Sequence, residues 1–177
     1  MSPKRIAIIV LVAFVAFFAA SFALWRVNVW LAGGVLSGLS GINTEPEIIQ
    51  LYYYNEQNDL DENRNILCSS RGLMAVDRDV ESANPIDAVR LLLEGNLTDE
   101  ERQSGITTEF PFGSAELLSK SELGESGVLR LVFADPQHET SGGSCRVNIM
   151  QAQIVQTALQ FEEVQDVLFL PNEVFQP

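Results

Sequence analysis

The sequence predicts an α+β domain, two helices packed on a mixed or antiparallel sheet, behind one N-terminal transmembrane helix. Three stretches carry this reading. From Val147 to Phe161 apolar residues recur every three or four positions (Val147, Met150, Ile154, Ala158, Phe161), and Val164 to Leu170 then reads as a strand. Asn84-Pro85 opens a second helix that Gly95 closes. Ile6 to Trp25 holds one polar residue, Ser21, and as a helix rises about 30 Å, the thickness of a bilayer's hydrocarbon core.

Lys4 and Arg5 precede the apolar segment and Arg26 follows it, so the positive-inside rule puts residues 1–5 in the cytoplasm and the rest outside. Ser21-Phe22-Ala23 is a small-x-small site, which leaves a cleaved signal peptide as the alternative. The apolar run exceeds a usual signal core, and Trp25 and Trp30 suit an interface, which favours an uncleaved anchor over residues 6–25. Leu31-Ala32-Gly33-Gly34 lacks a lipobox cysteine, so a lipoprotein is not expected. Residues 26–45, with Gly33, Gly34, Gly38 and Gly41, read as a linker to a domain at 46–177.

The formal net charge is −13, and all 24 acidic residues follow the apolar segment. Nucleic acid is excluded as a partner, because phosphate contact needs a basic footprint. Two cysteines, Cys68 and Cys145, suit an oxidising compartment. Joined, they would stabilise the fold by about 4–5 kcal/mol through loop closure; two buried free thiols are the other reading.

In order along the domain, Glu47 to Tyr54 is a strand with Ile49, Leu51 and Tyr53 on one face and Tyr52 and Tyr54 on the other. Asn55 to Asn65 is a polar turn. Its Asp59-x-Asp61-x-Asn63 begins like a calcium loop, but Arg64 and Ser70 replace the required Gly and Glu, so no metal site is expected. Ile66 to Cys68 and Leu73 to Val80 read as short strands. A helix follows from Pro85, capped by Asn84 and buried through Ile86, Val89, Leu92 and Leu93. After a helical turn at Thr98–Gln103 come strands at Ile106–Phe110, Ala115–Leu118 and Val128–Phe133. Gly142-Gly143 and an N-cap at Ser144 start the last helix, leaving Gln151, Gln153, Gln156, Thr157 and Gln160 outside its apolar stripe. The expected order is β, β, β, α, β, β, β, α, β.

Several of these motifs resemble one family. Ala88-Val-Arg-Leu-Leu-Leu-Glu-Gly95, Thr98-x-x-Glu101-x-x-x-Gly105, Thr108-Glu-Phe-Pro111-x-Gly113, Met74-Ala-Val-Asp-Arg78 and Gly142-Gly-Ser-Cys-Arg146 stand in the order and spacing of the GerMN domain of sporulation and spore germination proteins. The resemblance covers roughly Glu47 to Leu170. It departs at Asn96, where Pro is usual, and at Phe133-Ala134-Asp135, where an aspartate is displaced. The resemblance implies a Cys68–Cys145 disulfide and a place on the outer face of the bacterial cytoplasmic membrane. It also implies an interaction or accessory role without an established activity.

The residues add little chemistry. His138 lies in a polar loop with no nucleophile elbow nearby, and Cys145 at a helix start is better read as a disulfide partner than as a nucleophile. No catalytic residue, cofactor or metal is therefore assigned. Tyr52 and Tyr54 beside an acidic turn form a candidate interaction surface, unless helices cover that face. Three functions remain at this level. The favoured one is a membrane-anchored, non-catalytic interaction module with an envelope protein partner. A binder of cell-wall glycan or peptide comes second, and a wall-active enzyme is the least supported.

Overall fold

Alternation over Glu47–Tyr54 produces the first strand, β1, which buries Ile49, Leu51 and Tyr53. The computed structural model of the chain describes residues 46–177; the predicted anchor at 6–25 and linker at 26–45 lie outside them. Among the described residues no helix is long and apolar enough to cross a membrane. β1 pairs antiparallel with β2 (Leu73–Val80), from Glu47 opposite Val80 to Tyr54 opposite Leu73.

Helix α1 (Pro85–Leu93) starts where the sequence predicts, with the Asn84 side chain accepting from the Asp87 amide. It buries Ala88, Val89 and Leu92. Gly95 follows at φ +66, and a Cβ there would stand 2.2 Å from the Phe110 carbonyl oxygen, so only glycine fits. The short α2 (Asp99–Gln103) is held by a full capping box between Thr98 and Glu101.

The second sheet is built on β5 (Val128–Ala134), which buries Leu129, Leu131 and Phe133 and exposes Arg130. β3 (Glu116–Leu117) and β4 (Glu122–Leu123) pair with it antiparallel at successive stretches. Between them the Ser121 hydroxyl accepts the Val132 amide at 2.9 Å, closing the gap in the ladder. β6 (Asp166–Leu170) pairs with β5 in parallel. A parallel partner needs a crossover, and α3 (Ser144–Leu159) supplies it.

α3 packs against β1, α1 and β6, so it is the element on which both sheets meet. Val147, Met150, Ile154 and Ala158 are buried as the sequence predicts. Beyond β6 the chain returns to the core: Phe175 is 1% exposed and stacks edge-on to Phe133 at 5.2 Å between ring centres.

The observed order is β, β, α, α, β, β, β, α, β, and the structure corrects six expectations. Ile66–Cys68 makes only one bridge, Leu60 to Ile66, and Ile106–Phe110 only one, Thr107 to Tyr54. β4 is a strand of two residues that no periodicity announces. Gly143, not Ser144, is the N-cap of α3, with no side-chain bond. Gln153 and Thr157, expected outside the buried stripe, are 0% exposed. Finally, two sheets replace the single expected one, because the outer edge of β1 meets α3 rather than another strand.

Candidate functional site

That outer edge organises the site. The Gln160 side chain grips one residue of β1 on both backbone groups: Oε1 accepts the Gln50 amide at 2.8 Å, and Nε2 donates to the Gln50 carbonyl at 2.7 Å. One turn back, the Thr157 hydroxyl accepts the Tyr52 amide at 3.0 Å. Helix side chains thus do what a neighbouring strand would do. Another turn back stands Gln153, and here the pattern stops. The next outward backbone groups of β1 belong to Tyr54 and are taken by Thr107, whose amide donates to the Tyr54 carbonyl at 2.7 Å and whose carbonyl accepts the Tyr54 amide at 3.2 Å. Both polar atoms of the Gln153 carboxamide are buried without a hydrogen-bond partner.

Gln153 is among the residues around a groove of about 390 Å³, and with 0% exposure its carboxamide lies sealed beneath the groove's surface. Ile149 and Cys145 of α3, Ile66, Thr107 and Thr108 also line it. Glu56, Glu109 and Arg146 stand at its edges.

Two polar clusters hold these residues in place. Asp59 is fully buried inside the 55–69 excursion and accepts from the Tyr54 hydroxyl at 2.8 Å, the Ser69 amide at 2.7 Å and the Ser69 hydroxyl. Burial alone raises its pKa, but the bonds from Ser69 and Tyr54 outweigh that and hold it below the ordinary carboxylate value. The same contact, added to burial, pushes the Tyr54 hydroxyl up. The Cys68–Cys145 disulfide then ties the excursion to the first turn of α3, with Cα atoms 5.0 Å apart.

In the second cluster Arg146 donates from Nε to Glu109 at 2.9 Å and from Nη1 to the carbonyls of Glu139 and Ser141. Glu139 accepts amides of Ser114, Ala115 and Gly113, which lower its pKa. Asp135 is raised by burial but lowered overall by the Thr140 hydroxyl and amide and the Glu139 amide. Farther away, Arg78 binds both oxygens of Glu101 at 2.8 Å and lowers its pKa, pinning α2 to β2. Beside that pair the Tyr53 hydroxyl is buried without a partner, and burial pushes its pKa up to about 12.

The family model for Germane, described as sporulation and spore germination, matches residues 50–173, most of the chain. The chain belongs to the Germane family. No curated protein matches it. Among solved structures it is similar to the tandem GerMN domains of the sporulation protein GerM from Bacillus subtilis, at 16% identity and a TM-score of 0.45. That similarity covers 76% of this chain and 44% of the other, so this chain spans less than half of the tandem protein's length.

Within this Germane domain the two tyrosines read as one surface are separated. Tyr52 is half-buried on the outer face of β1, its hydroxyl donating to Gln50 at 3.1 Å. Tyr54 is covered at the end of the strand: its hydroxyl binds Asp59 and its ring packs on Gly72, where a Cβ would meet Cε2 at 2.2 Å. It reaches the groove only as part of the lining. The two tyrosines therefore do not form one exposed aromatic pair. His138 is exposed in its loop at φ 56 and lies apart from the groove's lining.

Sequence reasoning missed Gln153, Thr157, Gln160 and Asp59. The signal available was a polar stripe, Gln153-Thr157-Gln160, at helical spacing on a helix that must be buried on several sides.

Proposed function

We propose that this Germane domain is a membrane-anchored, extracytoplasmic accessory module of the bacterial cell envelope that holds a partner protein and performs no chemistry. The observation that carries the reading is the kind of group gathered in the groove. Cys145 in its lining is held in the disulfide and offers no thiol, and Thr107 and Thr108 have no histidine beside them in that lining to act as a base. Glu109 at the rim is paired to Arg146. The carboxylates held at lowered pKa, Asp59, Glu101, Asp135 and Glu139, receive amide, hydroxyl or guanidinium donors that build the fold. The apolar run Ile6–Trp25 and the basic residues before it support the anchor and the outward orientation.

The second reading, a binder of wall glycan, calls for an exposed aromatic platform, and the cover over Tyr54 leaves Tyr52 alone on its face. Fractionation of cells expressing the full chain tests the proposal. The chain is expected in the membrane fraction, released by detergent and not by alkaline carbonate, and digested by protease added to spheroplasts. A chain that stays soluble, or survives the protease until the membrane is broken, overturns it.

A further inference from the structure

The two edges of the β1–β2 pair are treated differently. Toward α3, β1 turns out backbone groups of Gln50, Tyr52 and Tyr54, which Gln160, Thr157 and Thr107 bond. The groups of Ile49, Leu51 and Tyr53 therefore face β2, where the register sets them against Arg78, Val76 and Met74. That leaves Leu73, Ala75, Asp77 and Asp79 to turn their backbone groups away from β1. The Leu73 amide folds back onto the Ser70 carbonyl, and the Asp77 carbonyl takes Arg78 Nη1. Among the described residues nothing bonds the amides and carbonyls of Ala75 and Asp79, or the Asp77 amide. All three residues are exposed.

We infer that the open edge of β2 takes an extended basic segment of a partner protein as an added strand. The segment's backbone pairs with Ala75, Asp77 and Asp79. Its alternate Lys or Arg side chains then stand opposite Asp77 and Asp79 on the exposed face, about 4.5–5.5 Å away between Cβ atoms. Arg78 does not neutralise these carboxylates. Alternation puts it on the other face, where it is engaged with Glu101 and the Asn96 carbonyl. The same two carboxylates turn away a second copy of this chain, because β2 laid antiparallel on β2 would set Asp77 opposite or diagonal to another Asp77 or Asp79. The formal net charge of −13 points to the same cationic occupant. None of the residues lining the groove belongs to β2, so the edge is a separate surface.

The test uses the full chain, oxidised and in detergent micelles. The probe is a peptide of about nine residues alternating Lys and Thr, long enough as a strand to span the edge. Binding is read by anisotropy and by hydrogen exchange at the Ala75, Asp77 and Asp79 amides. The peptide is expected to bind and to slow exchange at all three. N-methylating one alternate set of its amides, the Lys set for an antiparallel strand or the Thr set for a parallel one, is expected to weaken binding about tenfold. The other set points away from β2, and its methylation is expected to leave affinity within about twofold. Replacing both Asp77 and Asp79 by Lys changes only exposed side chains and is expected to turn the preference to a peptide alternating Glu and Thr. Ala75→Pro removes an outward amide and no bond to β1, and is expected to abolish binding. The inference is overturned if the Lys–Thr peptide does not bind, if the Glu–Thr peptide binds the wild type equally, or if both methylated sets bind alike. Slowed exchange at Thr107 to Glu109 in place of β2 would move the basic segment to the groove and overturn it. A dimer without peptide that Ala75→Pro dissolves would give the edge to a second copy and overturn it too.

Discussion

Replacing Thr157 by valine removes one acceptor and almost nothing else. The hydroxyl is fully buried, and it is the partner of the Tyr52 amide at 3.0 Å on a strand edge that α3 covers. Valine fills the same volume, so no cavity term arises, and the cost is that of leaving a buried N–H unpaired, about 1–3 kcal/mol. For a domain of this size each kcal/mol moves the melting temperature by about 3–5 °C. The expected drop is therefore roughly 3–15 °C, read by circular dichroism on the full chain and checked as a shift in the urea midpoint at constant slope. Gln160→Leu is the control. It deletes two bonds to Gln50, but at a partly exposed position where water replaces them, so each is worth only about 0.5–1 kcal/mol. If Thr157→Val melts with the wild type, within about 0.3 kcal/mol, α3 is not the surrogate strand that closes β1, and the account of the fold's two-sheet division is wrong.

Two further outcomes follow from the same geometry. Replacing Cys68 and Cys145 together by alanine opens a link across 77 residues, and chain entropy puts the loss at about 4–5 kcal/mol; urea unfolding is expected to show it, and reduction of the wild type is expected to reproduce it. Asp59, Glu101, Asp135 and Glu139 all have folded pKa values below their ordinary ones, so the stability they contribute is present above those ordinary values, 3.8 for Asp and 4.5 for Glu, and is lost as pH falls through the lowered ones. Melting temperature is therefore expected to hold from neutral pH to about pH 5 and to fall steeply below about pH 4, and a midpoint that rises on acidification would contradict the sign.

Much of the fold was legible because local signals and burial agreed. β1 and β2 follow the expected alternation, and Asn84-Pro85 and Thr98-x-x-Glu101 mark helix starts through chemistry that acts within three residues. Elements defined by distant partners were not legible. β4 exists because β5 has an edge to fill, and Ile66–Cys68 fails as a strand because its neighbours lead it to Asp59 and a disulfide. Periodicity put Gln153 and Thr157 in water, since it assumes that buried means apolar; α3 instead buries them against a backbone edge that requires polar partners. Alternation likewise placed Tyr54 beside Tyr52 on an open face, but the chain after β1 covers Tyr54 there through Asp59 and Gly72. The groove was invisible in the sequence because its lining comes from distant stretches, Glu56 and Ile66, Thr107 to Glu109 and the start of α3.

The most direct measurement of the central claim is photocrosslinking in living cells from Ile66 and Thr108, both lining the groove, with Leu168 on β6 as the remote control. The account predicts that both groove positions capture the same protein and that Leu168 does not yield it. Capture at Leu168 with nothing from either groove position would contradict it.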